Sequence, residues 1–147
     1  MAVEKVFFDL LIGKTISHIW RGHGSALFVE FGELVLRTKR KNGEPADAQG
    51  EMTLMIQWSW RIEKARSILT GSWGEERCWP ACFNQLRGTR VNKVELFGAL
   101  PEILVWLDNG MRIASFMTAD GQPSWALIAR RPQIGRAASK PSATPFM

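Results

Sequence analysis

Two stretches of this chain follow one pattern, and that repetition constrains the fold more than any other feature. Leu86-Arg87-Gly88-Thr89-Arg90-Val91 has the spacing of Leu11-Ile12-Gly13-Lys14-Thr15-Ile16. Further on, Ile103-Leu104-Val105-Trp106-Leu107 falls on Leu27-Phe28-Val29-Glu30-Phe31, and Met111-Arg112-Ile113 falls on Leu34-Val35-Leu36. The chain reads as one unit written twice. A unit this short does not bury its apolar face well alone, so the two copies are expected to pack around a shared core.

Each unit opens with a helix. Val3, Phe7, Leu10 and Leu11 recur at helical spacing, Glu4 suits the positive end of the helix dipole, and Gly13 stands where a left-handed residue ends the helix. In the second unit Pro80 suits a first helical turn, Trp79, Cys82, Phe83 and Leu86 form the apolar stripe, and Gly88 follows.

Strands come next. Lys14 to Trp20 reads as one, and Leu27, Val29 and Phe31 alternate in another. The longest alternation places Met52, Leu54, Ile56, Trp58, Trp60 and Ile62 on a single face, which reads as one long half-buried strand. The second unit gives strands at about 90–97, 102–107, 111–117 and 124–129, with Asn109-Gly110 as a hairpin signal. The expected class is α+β, mainly β: a helix plus a four-stranded antiparallel meander, duplicated internally, with both copies sharing one core. The expected division is a single globular domain over 1–129, with repeat 1 at about 3–63, a connector at 64–77 and repeat 2 at about 78–129. A basic, flexible tail then occupies 130–147.

Composition limits function more than it reveals it. A chain of 147 residues that is 46% hydrophobic is large enough for a core. No apolar run approaches the roughly 20 residues that span a bilayer. Glu4, Lys5 and Asp9 make the N-terminus too charged for a secretory signal, so a cytoplasmic protein with reduced cysteines and no membrane partner is expected. The net charge of +5 owes most to Arg130, Arg131, Arg136 and Lys140. Without them the body is nearly neutral, which is weak support for a nucleic-acid surface on the folded domain.

The side chains that carry chemistry do not converge. Gly13-Lys14-Thr15 resembles the end of a phosphate loop, but Phe8 stands where that loop needs a glycine, and the helix precedes the strand. Cys78, Cys82, His18 and His23 are the candidate metal ligands, with small buried cysteines as the simpler reading. Glu30, Glu95 and Glu102 are isolated on strands and read as solvated, and Asp120-Gly121 reads as a turn. No catalytic residue and no cofactor is assigned. Arg37, Lys39, Arg40 and Lys41 form a basic loop that only the first unit has, a candidate binding site for nucleic acid. Trp20, Trp58, Trp60, Trp106 and Trp125 read as core. Trp73, between Gly71 and Gly74, either plugs the groove between the copies or anchors an interface.

The rhythm of Leu11-Ile12-Gly13 with Ile16, Leu86-Arg87-Gly88 with Val91, Asn109-Gly110 and the late Trp125 resembles small uncharacterised bacterial domains of unknown function. Some comparable domains look like toxin-immunity or defence-associated proteins. The resemblance spans about 10–128 and implies no catalytic residues. The resulting expectation is a non-catalytic interaction protein whose partner is another protein, and the alternative is a nucleic-acid-binding module using residues 37–41 and the tail. A small hydrolase or metal-binding protein is the third reading.

Overall fold

The computed structural model describes residues 3–35 and 47–130. In chain order the elements are α1 (Val3–Leu11), β1 (Ile16–Arg21), β2 (Leu27–Phe31), β3 (Met52–Ile56), β4 (Trp60–Lys64) and β5 (Ser67–Gly71). A single 3-10 turn (Glu76–Cys78) leads into α2 (Trp79–Leu86), followed by β6 (Val91–Phe97), β7 (Glu102–Leu107), β8 (Met111–Ser115) and β9 (Trp125–Ala129). The strands form two antiparallel sheets, ordered β1-β2-β3-β9 and β5-β4-β8-β7-β6. The fold is thus α+β and mainly β. Among the described residues, no helix is long and apolar enough to cross a membrane.

Gly13 and Gly88, with the strands that follow them, occupy matching places, but Leu34 and Val35 do not answer Met111 and Arg112: Met111–Ser115 is β8, whereas Leu34 and Val35 lie outside the strands, Val35 making an isolated bridge to Gln49. The Gly13 amide donates to Val91 O at 2.9 Å, and the Gly88 amide donates to Ile16 O at 2.9 Å. Ile16 N donates to Thr89 O at 2.8 Å, and Val91 N donates to Lys14 O at 2.9 Å. The beginnings of β1 and β6 thus meet reciprocally about the Thr15–Arg90 bridge. Both glycines hold a left-handed backbone, φ +90° at Gly13 and +84° at Gly88, a region costly to residues that carry a Cβ. The registers agree as well. Ile16 pairs with Phe31 and then His18 with Glu30, skipping Ser17; Val91 pairs with Leu107 and then Lys93 with Trp106, skipping Asn92.

The expected pair of four-stranded meanders is modified at the fourth strand. The consecutive three-stranded runs are β1-β2-β3 and β6-β7-β8. The next strand of each half crosses to the other sheet: β4 pairs with β8, and β9 pairs with β3. The long alternation from Met52 to Ile62 is therefore two strands in two sheets, joined by a corner at residues 57–59. Gln57 N donates to Ser124 O there, at 2.9 Å. The corner turns Trp58 outward, 49% exposed, so it is not core. The 64–77 connector also contains a strand, β5, on the edge of the larger sheet.

One apolar cluster fills the interior, drawing on both helices and both sheets. Leu11 and Leu86 are both fully buried, as are Val29 and Val105. Trp60 and Trp125, each 1% exposed, open the two crossing strands. Their indoles donate to corresponding carbonyls, Trp60 to Ser25 O at 2.7 Å and Trp125 to Pro101 O at 3.0 Å. A large ring is thereby buried without leaving its N–H unsatisfied.

Candidate functional site

The basic residues Arg37, Lys39, Arg40 and Lys41 lie outside the described residues, and so does the tail after Arg130. The segment that carries the basic residues leaves and re-enters at the Val35–Gln49 bridge, with N–H···O distances of 2.8 and 3.2 Å. That stem rests on two carboxylates. Glu51 accepts from Glu33 N at 2.7 Å and from Lys14 Nζ at 2.9 Å. These two bonds, the amide's first, hold its carboxyl below the usual range.

Glu30, read as solvated, is instead fully buried. It accepts from Trp20 Nε1 at 2.8 Å, from Gly50 N at 3.0 Å and from the Thr53 hydroxyl at 2.5 Å. Arg130 approaches to 4.0 Å and itself donates to Thr53 Oγ1 and Gly50 O. Gly50 is required for this, because a Cβ there would run into the backbone of Phe31. Beside the cluster, His18 Nε2 lies 3.2 Å from Asp47 Oδ1. The arrangement fixes the ends of the 36–46 segment, and the first residue of the expected tail, Arg130, belongs to the folded body.

On the larger sheet the same device appears with its partners exchanged. Trp106 Nε1 donates to Glu95 at 2.8 Å, and the strand positions of Trp106 and Glu95 answer those of Glu30 and Trp20. Lys93 and Arg112 lie over the Trp106 ring, 5.5 and 5.1 Å from its centroid. Trp20 and Trp106 are half-buried rather than core.

The candidate metal ligands are not brought together. Cys78 is exposed and Cys82 is buried, and burial pushes the Cys82 thiol up to about 11. Among the described residues no three His, Cys, Asp or Glu side chains are grouped to hold a metal ion.

The features suited to binding gather at one end of the fold. Trp73 does not plug a groove: it is 70% exposed. Its indole N–H donates to Ser59 Oγ at 3.1 Å, and Ser59 is itself buried. The backbone carbonyl of Ser59 accepts from Phe116 N at 3.0 Å, and Phe116 lines a half-open cleft of about 280 Å³. Trp58 is the residue before Ser59, so the Ser59 backbone links both exposed tryptophans to the strand end that carries Phe116. The cleft is walled by Phe97, Leu100, Phe116, Met117 and Pro123, with Glu102 as the one charged side chain among the described residues that line it.

Glu102, the second carboxylate read as solvated, is 8% exposed. It accepts from Ser115 Oγ at 2.6 Å and from Met117 N at 2.8 Å, while Ser115 Oγ accepts from Ile103 N at 3.0 Å. Alternation with Ile103 and Val105 assigns Glu102 to the outer face of the sheet. Its burial comes from the β8–β9 link at residues 116–124, which lies against it; no local sequence signal marks that event. Compared with protein-family models, curated proteins and solved structures, the chain matches none.

Proposed function

We propose that this protein is a non-catalytic interaction module that binds another protein through the aromatic end of the fold, with Trp73 as the anchor. One observation carries the reading: Trp73 is exposed yet held in place by Ser59. A large ring already fixed in orientation offers apolar area with little ordering cost, which is the property of interface hot spots. Trp58, 49% exposed and next to Ser59 in the chain, and the cleft residues Phe97 and Leu100, exposed by 37% and 66%, are further exposed apolar side chains available to a partner. Binding and neutralising a toxin domain is the specific form of this role suggested by the resemblance to immunity-associated proteins.

The test is affinity capture from the native host with mass spectrometry, comparing wild type with Trp73→Ala and Trp58→Ala. A partner retained by wild type and lost with Trp73→Ala, at unchanged Tm, is the expected result. Identical captured sets from all three proteins would remove the proposal.

A further inference from the structure

Glu102 is buried beside a cleft, with no counter-ion within 4.0 Å among the described residues. The other carboxylates that are buried or half-buried on the strands each have a cation near: Arg130 at 4.0 Å from Glu30, Arg61 and Arg112 at 2.7 Å from Glu63, and Lys93 at 3.5 Å from Glu95. Among the described residues no cationic side chain lies within 4.0 Å of Glu102, whose partners are the neutral Ser115 hydroxyl and Met117 amide. Two donors leave part of a carboxylate's accepting capacity unused, and a buried carboxylate gains most from a cation that reaches it.

We infer that the Glu102 cleft receives the side chain of a lysine from the protein partner. The inference rests on the interface reading and names the chemistry recognised there. The cleft residue Phe116 is linked to Trp73 through Ser59, which accepts from Phe116 N with its carbonyl and from the Trp73 indole with its hydroxyl. The apolar walls suit a run of methylenes, which lysine carries beneath its charge. Phe97 lines the cleft and offers an aromatic ring to an ammonium group, whereas the Phe116 ring already carries the Arg61 guanidinium, 5.2 Å from its centroid. Glu102 accepts the ammonium at the base. Arginine fits less well, because its five N–H donors need several acceptors and, among the described residues, Glu102 is the only acidic or amide side chain lining the cleft.

The decisive experiment follows amide resonances of the full-length protein during titration with N-acetyl-lysine methylamide. The arginine and norleucine analogues are titrated in parallel. The lysine amide produces saturable shifts at Met117, Phe116 and Gly121, and binds roughly tenfold or more tightly than the norleucine amide. Glu102→Gln keeps an acceptor for Ser115 and Met117 but removes the charge, and it abolishes that preference. Absence of saturable shifts, equal binding of lysine and norleucine amides, or preference for arginine overturns the inference. The wild-type comparison stands even where the variant folds poorly. A partner captured by both wild type and Glu102→Gln but lost with Trp73→Ala leaves the interface reading intact and overturns the lysine inference alone. Lysine-amide binding together with capture unaffected by Trp73→Ala overturns the interface reading and leaves an ammonium site.

Discussion

Arg112 donates through Nε to Glu63 at 2.7 Å, across the seam where β8 lies beside β4. This bond joins strands from the two halves of the chain. Arg61 donates to the other oxygen of Glu63 at 2.7 Å, and Arg112 Nη2 reaches Ala65 O at 2.6 Å. Burial raises the Glu63 carboxyl, but the bonds from Arg112 and Arg61 outweigh it and leave the group below its usual range. A carboxylate depressed in the folded state contributes stability that is present above its unfolded pKa of about 4.3 and lost as pH falls through the folded value. Arg112→Met is expected to destabilise by about 1–3 kcal/mol at neutral pH. It also flattens the fall in stability below about pH 4. Urea unfolding across a pH series measures both; an unchanged acid limb would show that the seam does not depend on this pair.

The reciprocal bonds of Gly13 and Gly88 make a second expectation. Neither position is crowded, since an added Cβ meets nothing within 4 Å at either glycine. The cost of substitution therefore comes from the left-handed backbone alone. Gly13→Ala and Gly88→Ala should each destabilise by about 1–2 kcal/mol, and Gly→Asn at either site should cost less, because Asn tolerates this region better. Denaturant midpoints of the four variants decide it. A large loss at one glycine with none at the other would show that the two seam positions are not energetically alike.

These glycines were legible in the sequence because a helix end states its requirement locally. So were α1, the stripe of α2 and the Asn109-Gly110 turn, each set by residues within a few positions of one another. What was not legible was set by distant residues. The alternation from Met52 to Ile62 carries straight through a corner, because Trp60 points inward in its new sheet as it would have in the old one. The exchange of β4 and β9 between sheets leaves no mark on either strand except the tryptophan that opens it. Glu30 and Glu102 looked solvated because alternation assigns them to outer faces, and only Gly50 and Arg130 in one case, and the β8–β9 link in the other, cover them. Trp73 could be named as a candidate from its glycine neighbours, but its orientation is fixed by Ser59, at the corner 14 residues earlier.

The two cysteines should separate by reactivity. Cys78 is exposed, whereas the Cys82 thiol is buried and shifted up to about 11. The thiolate is the reacting species, so at pH 8 Cys82 is almost wholly protonated and shielded. Iodoacetamide at pH 8 is expected to modify Cys78 rapidly and Cys82 only after denaturation, as read by peptide mass spectrometry. Comparable labelling of both in the native protein would contradict the packing of α2 against the core.

Glu30 ties the stem of the 36–46 segment to the smaller sheet, so its removal should be felt at that stem. Three donors converge on the carboxylate from Trp20, Gly50 and Thr53, with Arg130 behind them. Glu30→Gln keeps one acceptor oxygen but replaces the other with an amino group, which turns a donor toward a donor. It also removes the negative charge that lies 4.0 Å from Arg130. A loss of about 3–5 kcal/mol is expected, in the range for breaking a buried ion pair from one side. The effect should also be uneven. Either Gly50 and Thr53, which share one oxygen, or Trp20, which uses the other, then faces an NH2 donor, and the Val35 and Gln49 amides that close the stem lose the neighbour that orders them, while the reciprocal seam between Ile16 and Val91 keeps all its bonds. Hydrogen exchange resolved by residue provides the measurement. Faster exchange at Val35, Gln49 and Gly50, with protection retained at Ile16 and Val91, is the expected pattern. Uniform acceleration throughout the protein would instead mean that Glu30 supports the whole fold rather than the root of this segment.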